Sequence, residues 1–230
     1  MPRLPYAFRL GLALTVTVSL FCFIGVVFWY QDWRYSMPTP RPSGLVQPPA
    51  GSTLVLPAAL AEHSPEAQGR PLVLHFFSTS CPCSKFNLDH VRDLIRRYRD
   101  RVTFVAVLES RNPESALRSY AGLGLGIPAT VDTAENLAAR FGVYSTPQVV
   151  ILDHRGRLYY RGNYNTSRYC TNPATEFARL SIEGLLARHP APLFIASATT
   201  AYGCELPRRA ASRPGLPGAL DRLARESAFE

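Results

Sequence analysis

Hydrophobic residues are arranged differently in the first part of the chain and in the rest of it. Residues 10–31 contain no charged side chain, and about 20 apolar residues at about 1.5 Å each suffice to cross a membrane as a helix. After residue 53 the apolar residues form short runs, such as PLVLHFF at 71–77 and VTFVAVL at 102–108. Runs of this length are typical of buried strands. The pattern therefore predicts a membrane anchor followed by a folded domain.

The segments between the predicted strands show the periodicity of amphipathic helices. Residues 82–99 place apolar side chains on one stripe and arginines and aspartates elsewhere, which predicts an amphipathic helix. Further helices are predicted at 113–122, 134–141 and 173–188. Two strands at 149–152 and 158–161 flank the turn DHRG (153–156) and predict a hairpin. This order of elements predicts an α/β domain with a mixed central sheet and helices on both faces.

Changes in composition divide the chain into six parts. The predicted parts are a cytoplasmic N-terminus (1–9), a transmembrane anchor (10–31), a Pro-rich linker (32–53), the α/β domain (54–190), a Cys-containing extension (191–206) and a flexible tail (207–230). Five prolines lie between residues 36 and 52. A Pro-rich chain extends by about 3.1 Å per residue, which predicts a spacer on the order of 50 Å. The tail is rich in Arg, Pro, Gly and Ala, with one short helix predicted near 216–227.

A cleaved secretory signal and a lipoprotein signal are the alternatives to an anchor. The segment WYQDW at 29–33 offers no small-x-small cleavage site and is typical of an interfacial aromatic belt. Cys22 follows Phe21, where a lipoprotein signal needs a small residue, so Cys22 is interpreted as a lipid-buried side chain. Arg3 and Arg9 precede the apolar stretch, and the positive-inside tendency therefore predicts a cytoplasmic N-terminus and a domain on the opposite side of the membrane.

The charge and the cysteine content narrow the possible functions. A net charge of +8 suggests nucleic-acid binding, but the basic residues are scattered along the chain. The arginines of the helix at 82–99 are interpreted as a solvated face, and no nucleic-acid partner is predicted. Four of the five cysteines follow the anchor. An even number in an oxidising compartment is compatible with two disulfides.

The segment FFSTSCPCSKF (76–86) places two cysteines between a predicted strand and a predicted helix. Cys81 falls at the expected N-cap and Pro82 at the first helical position, where its missing N–H costs nothing. A helix N-terminus stabilises a thiolate and lowers the pKa of a cysteine below about 8.5. Cys83 is close enough to close a small disulfide ring with Cys81. In the alternative interpretations, Cys83 packs under the helix while Cys81 acts alone or with a distant cysteine, or Cys81 is itself inert.

A second segment, RFGVYSTPQVVILDHRGRLYYRG (140–162), joins this motif in resembling the thioredoxin superfamily. The resemblance covers roughly residues 54–189 and is strongest to membrane-tethered, TlpA-like thiol–disulfide oxidoreductases. It implies that Cys81 is the nucleophile, that Pro147 is the cis-proline beside it, and that the backbone of Thr146 pairs with a bound substrate. The chain departs from the Cys-x-x-Cys pattern, since Ser84 stands where the second cysteine is usual.

The resemblance also draws attention to His75 and to the two remaining cysteines. In thioredoxin the position of His75 holds a buried acid that relays protons to the second cysteine. An imidazole with an ordinary pKa near 6.5 would suit such a relay, and a merely packed histidine is the alternative. Cys170 and Cys204 lie outside the motif. They are predicted to form a structural disulfide that staples the extension to the domain, with a relay of disulfides to Cys81 as the alternative.

The leading prediction is a membrane-anchored periplasmic enzyme that exchanges disulfides with protein substrates and an unknown redox partner through Cys81 and Cys83. No cofactor and no metal belong to it. The first alternative is a copper-binding or copper-delivery protein, because Cys-x-Cys with a nearby His90 suits a soft metal. A peroxiredoxin-like peroxidase is less favoured, since its Pro-x-x-x-Thr-x-x-Cys loop is absent although Thr79 is close. A non-catalytic scaffold with the same fold is the remaining alternative.

Overall fold

The computed structural model describes residues 5–33, 37–132, 136–166 and 172–207. Its first helix, Tyr6–Phe28, has 23 residues and no buried side chain, and it continues as a π-helical turn, Trp29–Trp33. This helix is long and apolar enough to cross a membrane. The predicted apolar helix is therefore present, and it begins four residues earlier than residue 10.

The domain is built on a five-stranded mixed sheet. Five of the strands in the described residues belong to this sheet, and two form a smaller one. In chain order the strands are β1 (Leu72–Phe77), β2 (Thr103–Leu108), β3 (Ala129–Val131), β4 (Ser145–Thr146), β5 (Gln148–Leu152), β6 (Leu158–Gly162) and β7 (Cys204–Glu205). The main sheet has the order β3-β2-β1-β5-β6. β1, β2 and β3 are parallel, and β5 runs antiparallel to β1 and β6. β4 and β7 form a separate two-stranded sheet.

The predicted helices are present with shifted ends. They are Pro82–Phe86 and Leu88–Tyr98, Pro113–Ala121, Leu137–Phe141, and Phe177–Leu186 preceded by a 3-10 turn, Pro173–Thr175. The predicted helix 82–99 is interrupted at Asn87. Backbone hydrogen bonds still connect its two pieces, since Asn87 donates to Cys83 and accepts from Val91. Short helices at Ala58–His63, Pro65–Gln68 and Ala196–Thr199 were not predicted.

Both faces of the central strand are covered by apolar side chains. Successive side chains of a strand point to opposite faces, and every residue of β1 is buried. Phe77 belongs to the core under Leu88–Tyr98, and Phe76 belongs to the opposite core with Phe141. Residues that follow β1 therefore emerge at the end of a fully buried central strand.

The Pro-rich segment packs against the domain, which corrects the prediction of a spacer for its described part. Pro38 forms a β-bridge with Tyr202, and Thr39 is buried. Gln47 donates a hydrogen bond to the carbonyl of Gly142. Backbone hydrogen bonds from Thr39 to Ala201 and from Gly51 to Leu158 hold the segment on the domain, and it turns at residues 42–45. The predicted flexible tail and its short helix lie outside the described residues from position 208 onward.

Candidate active site

Cys81 lies where the sequence placed it, four residues beyond the end of β1. It is the N-cap of the helix Pro82–Phe86, with Pro82 at the first helical position. The backbone N–H of Cys81 donates to the carbonyl of Ser78, 3.1 Å away, and the N–H of Ser78 donates to Ser84 Oγ. These bonds fold residues 78–84 into a compact turn that fixes the position of Cys81.

The Thr146–Pro147 peptide bond is cis, which confirms the prediction made from the motif. Sγ of Cys81 lies 3.4 Å from the carbonyl oxygen of Thr146. Thr146 is buried and belongs to β4. The fold therefore brings together two segments that are 65 residues apart in the sequence, as the resemblance implied.

Cys81 forms a disulfide with Cys204, and their Cα atoms are 5.9 Å apart. This pairing corrects the predicted Cys170–Cys204 staple, because one sulfur forms only one disulfide at a time, and it leaves Cys83 outside the disulfide. The cause is the two-stranded sheet, in which Cys204 lies opposite Thr146 and is thereby carried to Cys81. Cys170 lies outside the described residues.

Cys83 completes a group of three sulfur atoms. It is fully buried and is not part of the disulfide. The Sγ atoms of Cys81, Cys83 and Cys204 all lie within 4.8 Å of one another. A thiolate exchanges with a disulfide by attacking one of its sulfurs directly. The site therefore holds a disulfide and a third sulfur close enough to exchange with it after a small movement.

The strand that carries Cys204 is held by side chains as well as by the sheet. The Ser145 hydroxyl donates to the carbonyl oxygens of Tyr202 and Cys204, which lie 3.2 Å and 3.1 Å from Oγ. Thr39 Oγ1 lies 3.0 Å from Ser145 Oγ in a buried contact. At Gly203 the backbone has φ +123°, and an added Cβ would collide with the carbonyl oxygen of Thr146. Sequence reasoning missed Thr39, Ser145 and Gly203, because their contacts join segments far apart in the chain.

His75 lies on β1 and is buried, as the strand pattern predicted. Its Nδ1 is 2.6 Å from the hydroxyl of Tyr164, and its Nε2 has no hydrogen-bond partner within the described part of the chain. Burial lowers the pKa of His75 from 6.5 to about 3. The imidazole is therefore neutral near pH 7, which removes the ordinary pKa on which the relay hypothesis depended and favours the packed alternative.

A pocket of about 860 Å³ opens beside the disulfide. Its lining includes Ser78, Glu109 and Glu205. Glu109 is 3% exposed and directly follows β2, with its N–H donating to the carbonyl of Phe77. Sequence reasoning missed Glu109 too. The available signal was a carboxylate directly after a buried strand that runs parallel to β1, since parallel strands end at the same edge of a sheet.

The strand order, the cis-proline and the cysteine at the start of a helix define a thioredoxin-fold protein. Within that class, the chain belongs to the family described as "Domain of unknown function (DUF6436)", whose model matches residues 53–206. An uncharacterized conserved protein from Geobacillus kaustophilus has a similar structure, with a TM-score of 0.61 and 21% identity over 76% of this chain and 99% of that one. A hypothetical protein from Sinorhizobium meliloti 1021 gives a TM-score of 0.56 and 20% identity over 71% and 95% of the two chains. Both likenesses concern the fold.

A curated relative carries an activity in its name. The thiol-disulfide oxidoreductase ResA of Halalkalibacterium halodurans is 21% identical to this chain over 94 residues. The match covers 40% of this chain and 53% of that protein. This chain therefore spans about half the length of the curated relative that it matches.

Proposed function

We propose that this protein is a membrane-anchored thiol–disulfide oxidoreductase that exchanges disulfides with protein substrates, with Cys81 as the attacking thiolate and Cys83 as the resolving thiol. The observation that carries the proposal is the group of three sulfurs within 4.8 Å of one another beside the cis-Thr146–Pro147 bond. The activity named for the ResA relative supports the same reaction. Thr146 supports the site through its carbonyl oxygen, 3.4 Å from Sγ of Cys81, and Pro147 is the cis-proline that follows it.

The reaction proceeds through a mixed disulfide. The Cys81 thiolate attacks one sulfur of a substrate disulfide, forms a Cys81–substrate bond and releases the other substrate sulfur as a thiolate. Cys83 then loses its proton and attacks Cys81, which releases the second substrate thiolate. The substrate gains two electrons and the enzyme becomes oxidised at Cys81–Cys83. With a reduced substrate and an oxidised enzyme, the same steps run in reverse.

Turnover by the full chain in detergent tests this function. The assay follows reduction of a fluorescent peptide disulfide with dithiothreitol as the electron donor. We expect Cys81→Ser to lose the catalysed rate, because it removes the sulfur at the N-cap and the remaining sulfur of the first turn, Cys83, is fully buried. Cys22→Ser is the matched control, since it removes a cysteine in the apolar helix and should leave the rate unchanged. Full activity of Cys81→Ser would refute the assignment.

The proposed location is the bacterial inner membrane, with the domain in the periplasm and the Tyr6–Phe28 helix as a single-pass anchor. Arg3 before the helix and Arg9 in its first turn support this orientation, and an oxidising compartment is consistent with the Cys81–Cys204 disulfide. A C-terminal alkaline phosphatase fusion should be active in bacterial cells. Activity of a cytoplasmic reporter alone at the same position would reverse the orientation.

Binding of Cu(I) is a second candidate function, and the same three sulfurs favour it. Soft thiolates select Cu(I), and in the reduced chain Cys81, Cys83 and Cys204 would be available as three ligands. In the thioredoxin superfamily that this chain resembles, the cis-proline lies over the cysteines and obstructs a metal there, and the cis Thr146–Pro147 bond argues against a copper site for the same reason. Titration of the fully reduced chain with Cu(I) against a competing chelator separates the two functions. Tight one-to-one binding that is lost in Cys81→Ser would support a copper protein, and the absence of binding would exclude it.

A further inference from the structure

We propose that Cys204 is a third redox cysteine and that residues 203–206 act as an internal substrate of the site. This inference rests on the proposed function, because it concerns the same attacking thiolate. The supporting observation is that Cys204 is bonded to Cys81 and at the same time is paired as an antiparallel strand with Ser145 and Thr146. A cysteine in an extended segment, bonded to the nucleophile, is the arrangement of a trapped protein substrate.

The segment is built to dock in this place. Gly203 allows the backbone to approach the Thr146 carbonyl, where any Cβ would collide. The Ser145 hydroxyl donates to the carbonyls of Tyr202 and Cys204, on both sides of Gly203. Just before the strand, Ala201 is fully buried and its N–H donates to the hydroxyl of Tyr144. A simple covalent staple would need the disulfide alone, whereas here the backbone, a glycine and a buried hydroxyl all determine where the sulfur lies.

Cys204 therefore competes with a protein substrate for both Cys81 and the strand edge. When a substrate forms a mixed disulfide with Cys81, the Cys204 thiol can attack Cys81 Sγ, lose its proton and release the substrate thiolate. The product is the Cys81–Cys204 disulfide that the structure contains. Cys83 then frees the segment by attacking Cys81 in that disulfide. A Cys81–Cys83 bond forms, the Cys81–Cys204 bond breaks, and the Cys204 thiolate takes up the proton that Cys83 loses. Neither step needs an added oxidant or reductant.

Trapping of a peptide by the full chain in detergent tests this role of Cys204. The probe is a peptide disulfide at about 0.1 mM, added to the reduced Cys83→Ser chain and to the reduced Cys83→Ser/Cys204→Ser chain. A tethered thiol has an effective concentration on the order of millimolar, so Cys204 should release the peptide and lower the trapped fraction of the single variant by about tenfold. Cys83→Ser/Cys22→Ser is the matched control and should behave like the single variant.

The outcomes separate this inference from the proposed function. Strong trapping by the double variant alone supports Cys204 as a resolving thiol. Equal trapping by both chains refutes the role of Cys204 and leaves Cys81 as the nucleophile. Trapping by neither chain refutes the proposed function itself.

Alkylation of the oxidised chain tests the return step. With maleimide and no reductant, the wild-type chain should accumulate a Cys81–Cys83 disulfide with the label on Cys204, as read by peptide mapping. Cys83→Ser should keep the Cys81–Cys204 bond and remain unlabelled at Cys204. A label on Cys83 with the Cys81–Cys204 bond intact would refute the exchange.

Discussion

Thr146 and Cys204 lie opposite each other in the small sheet formed by β4 and β7. The carbonyl oxygen of Thr146 is also 3.4 Å from Sγ of Cys81, so one residue before the cis-proline contacts both partners of the disulfide. The docking of residues 203–206 and the redox state of Cys81 are therefore coupled. Weakening the strand pairing should weaken the Cys81–Cys204 disulfide, and the reverse should also hold.

Replacing Gly203 with alanine should make the Cys81–Cys204 disulfide less stable. The new Cβ would collide with the carbonyl oxygen of Thr146, and the positive φ at Gly203 is itself strained for alanine. A strained backbone of this kind costs roughly 1–3 kcal/mol. The measurement is the disulfide fraction in a glutathione redox series, read by peptide mapping. Gly124→Ala is the matched control, because its φ of +62° is also positive but no atom lies within 4 Å of the added Cβ. An unchanged midpoint for Gly203→Ala would contradict the coupling.

The Ser145 hydroxyl should stabilise the docked segment together with Thr39. Ser145→Ala removes the donor to the carbonyls of Tyr202 and Cys204, and Thr39→Val removes the buried hydroxyl 3.0 Å from Ser145. Loss of a buried hydrogen bond costs about 1–3 kcal/mol when a partner is left unsatisfied. The same glutathione series measures the disulfide fraction of both single variants and of the double variant. Because the hydroxyls are in contact, we expect the double variant to lose less than the sum. Strict additivity would show that the two hydroxyls act independently.

His75 should make the folded domain less stable in acid. Burial lowers its pKa from 6.5 to about 3, so between those pH values the unfolded chain binds a proton that the folded chain does not. Stability from this group is therefore complete above pH 6.5 and falls as the pH drops toward 3, by about 1.4 kcal/mol per pH unit. Urea unfolding of the full chain in detergent at several pH values measures this slope.

The variant His75→Gln should reduce the slope, because glutamine does not titrate. His90 keeps its own contribution in both proteins, since burial also lowers the pKa of His90. His154→Gln, at an exposed position of the hairpin turn, is the matched control. A slope that His75→Gln leaves intact would show that the acid sensitivity arises from other groups.

Replacing Gly162 with alanine should loosen the C-terminal extension from the main sheet. An added Cβ would collide with the carbonyl oxygen of Ala198 and with the ring of Tyr160, and the neighbouring N–H of Asn163 donates to that same carbonyl. Overpacking of this kind costs typically about 1–3 kcal/mol. Limited proteolysis should cleave between residues 187 and 202 faster than in the wild type. Gly122→Ala is the control, because its nearest atom would be 3.5 Å away. Equal cleavage rates would mean that the extension tolerates the methyl group.

Much of the fold and part of the site could be predicted from local patterns. The runs at 71–77 and 102–108 form β1 and β2, and the DHRG turn separates β5 from β6. Cys81 was predicted as the N-cap and the Thr146–Pro147 bond as cis, and both predictions are confirmed. These features depend on residues that are neighbours in the sequence or on a compact motif, so the sequence carries them directly.

The pairing of the cysteines depended on the tertiary structure. Nothing around Cys204 in the sequence distinguishes Cys81, 123 residues away, from Cys170 as its partner. The partner of Cys204 is determined by the path of the extension, which crosses β6 and then pairs with β4. The packing of the Pro-rich segment was likewise hidden, since Thr39 meets Ser145 across 106 residues. Hydrophobic periodicity and capping act over a few residues, and by themselves they predicted the longer strands, the main helices and Cys81 as the N-cap. Contacts between distant segments arise only when the folded sheet sets their geometry, so the tertiary structure alone decided which sulfur meets Cys81.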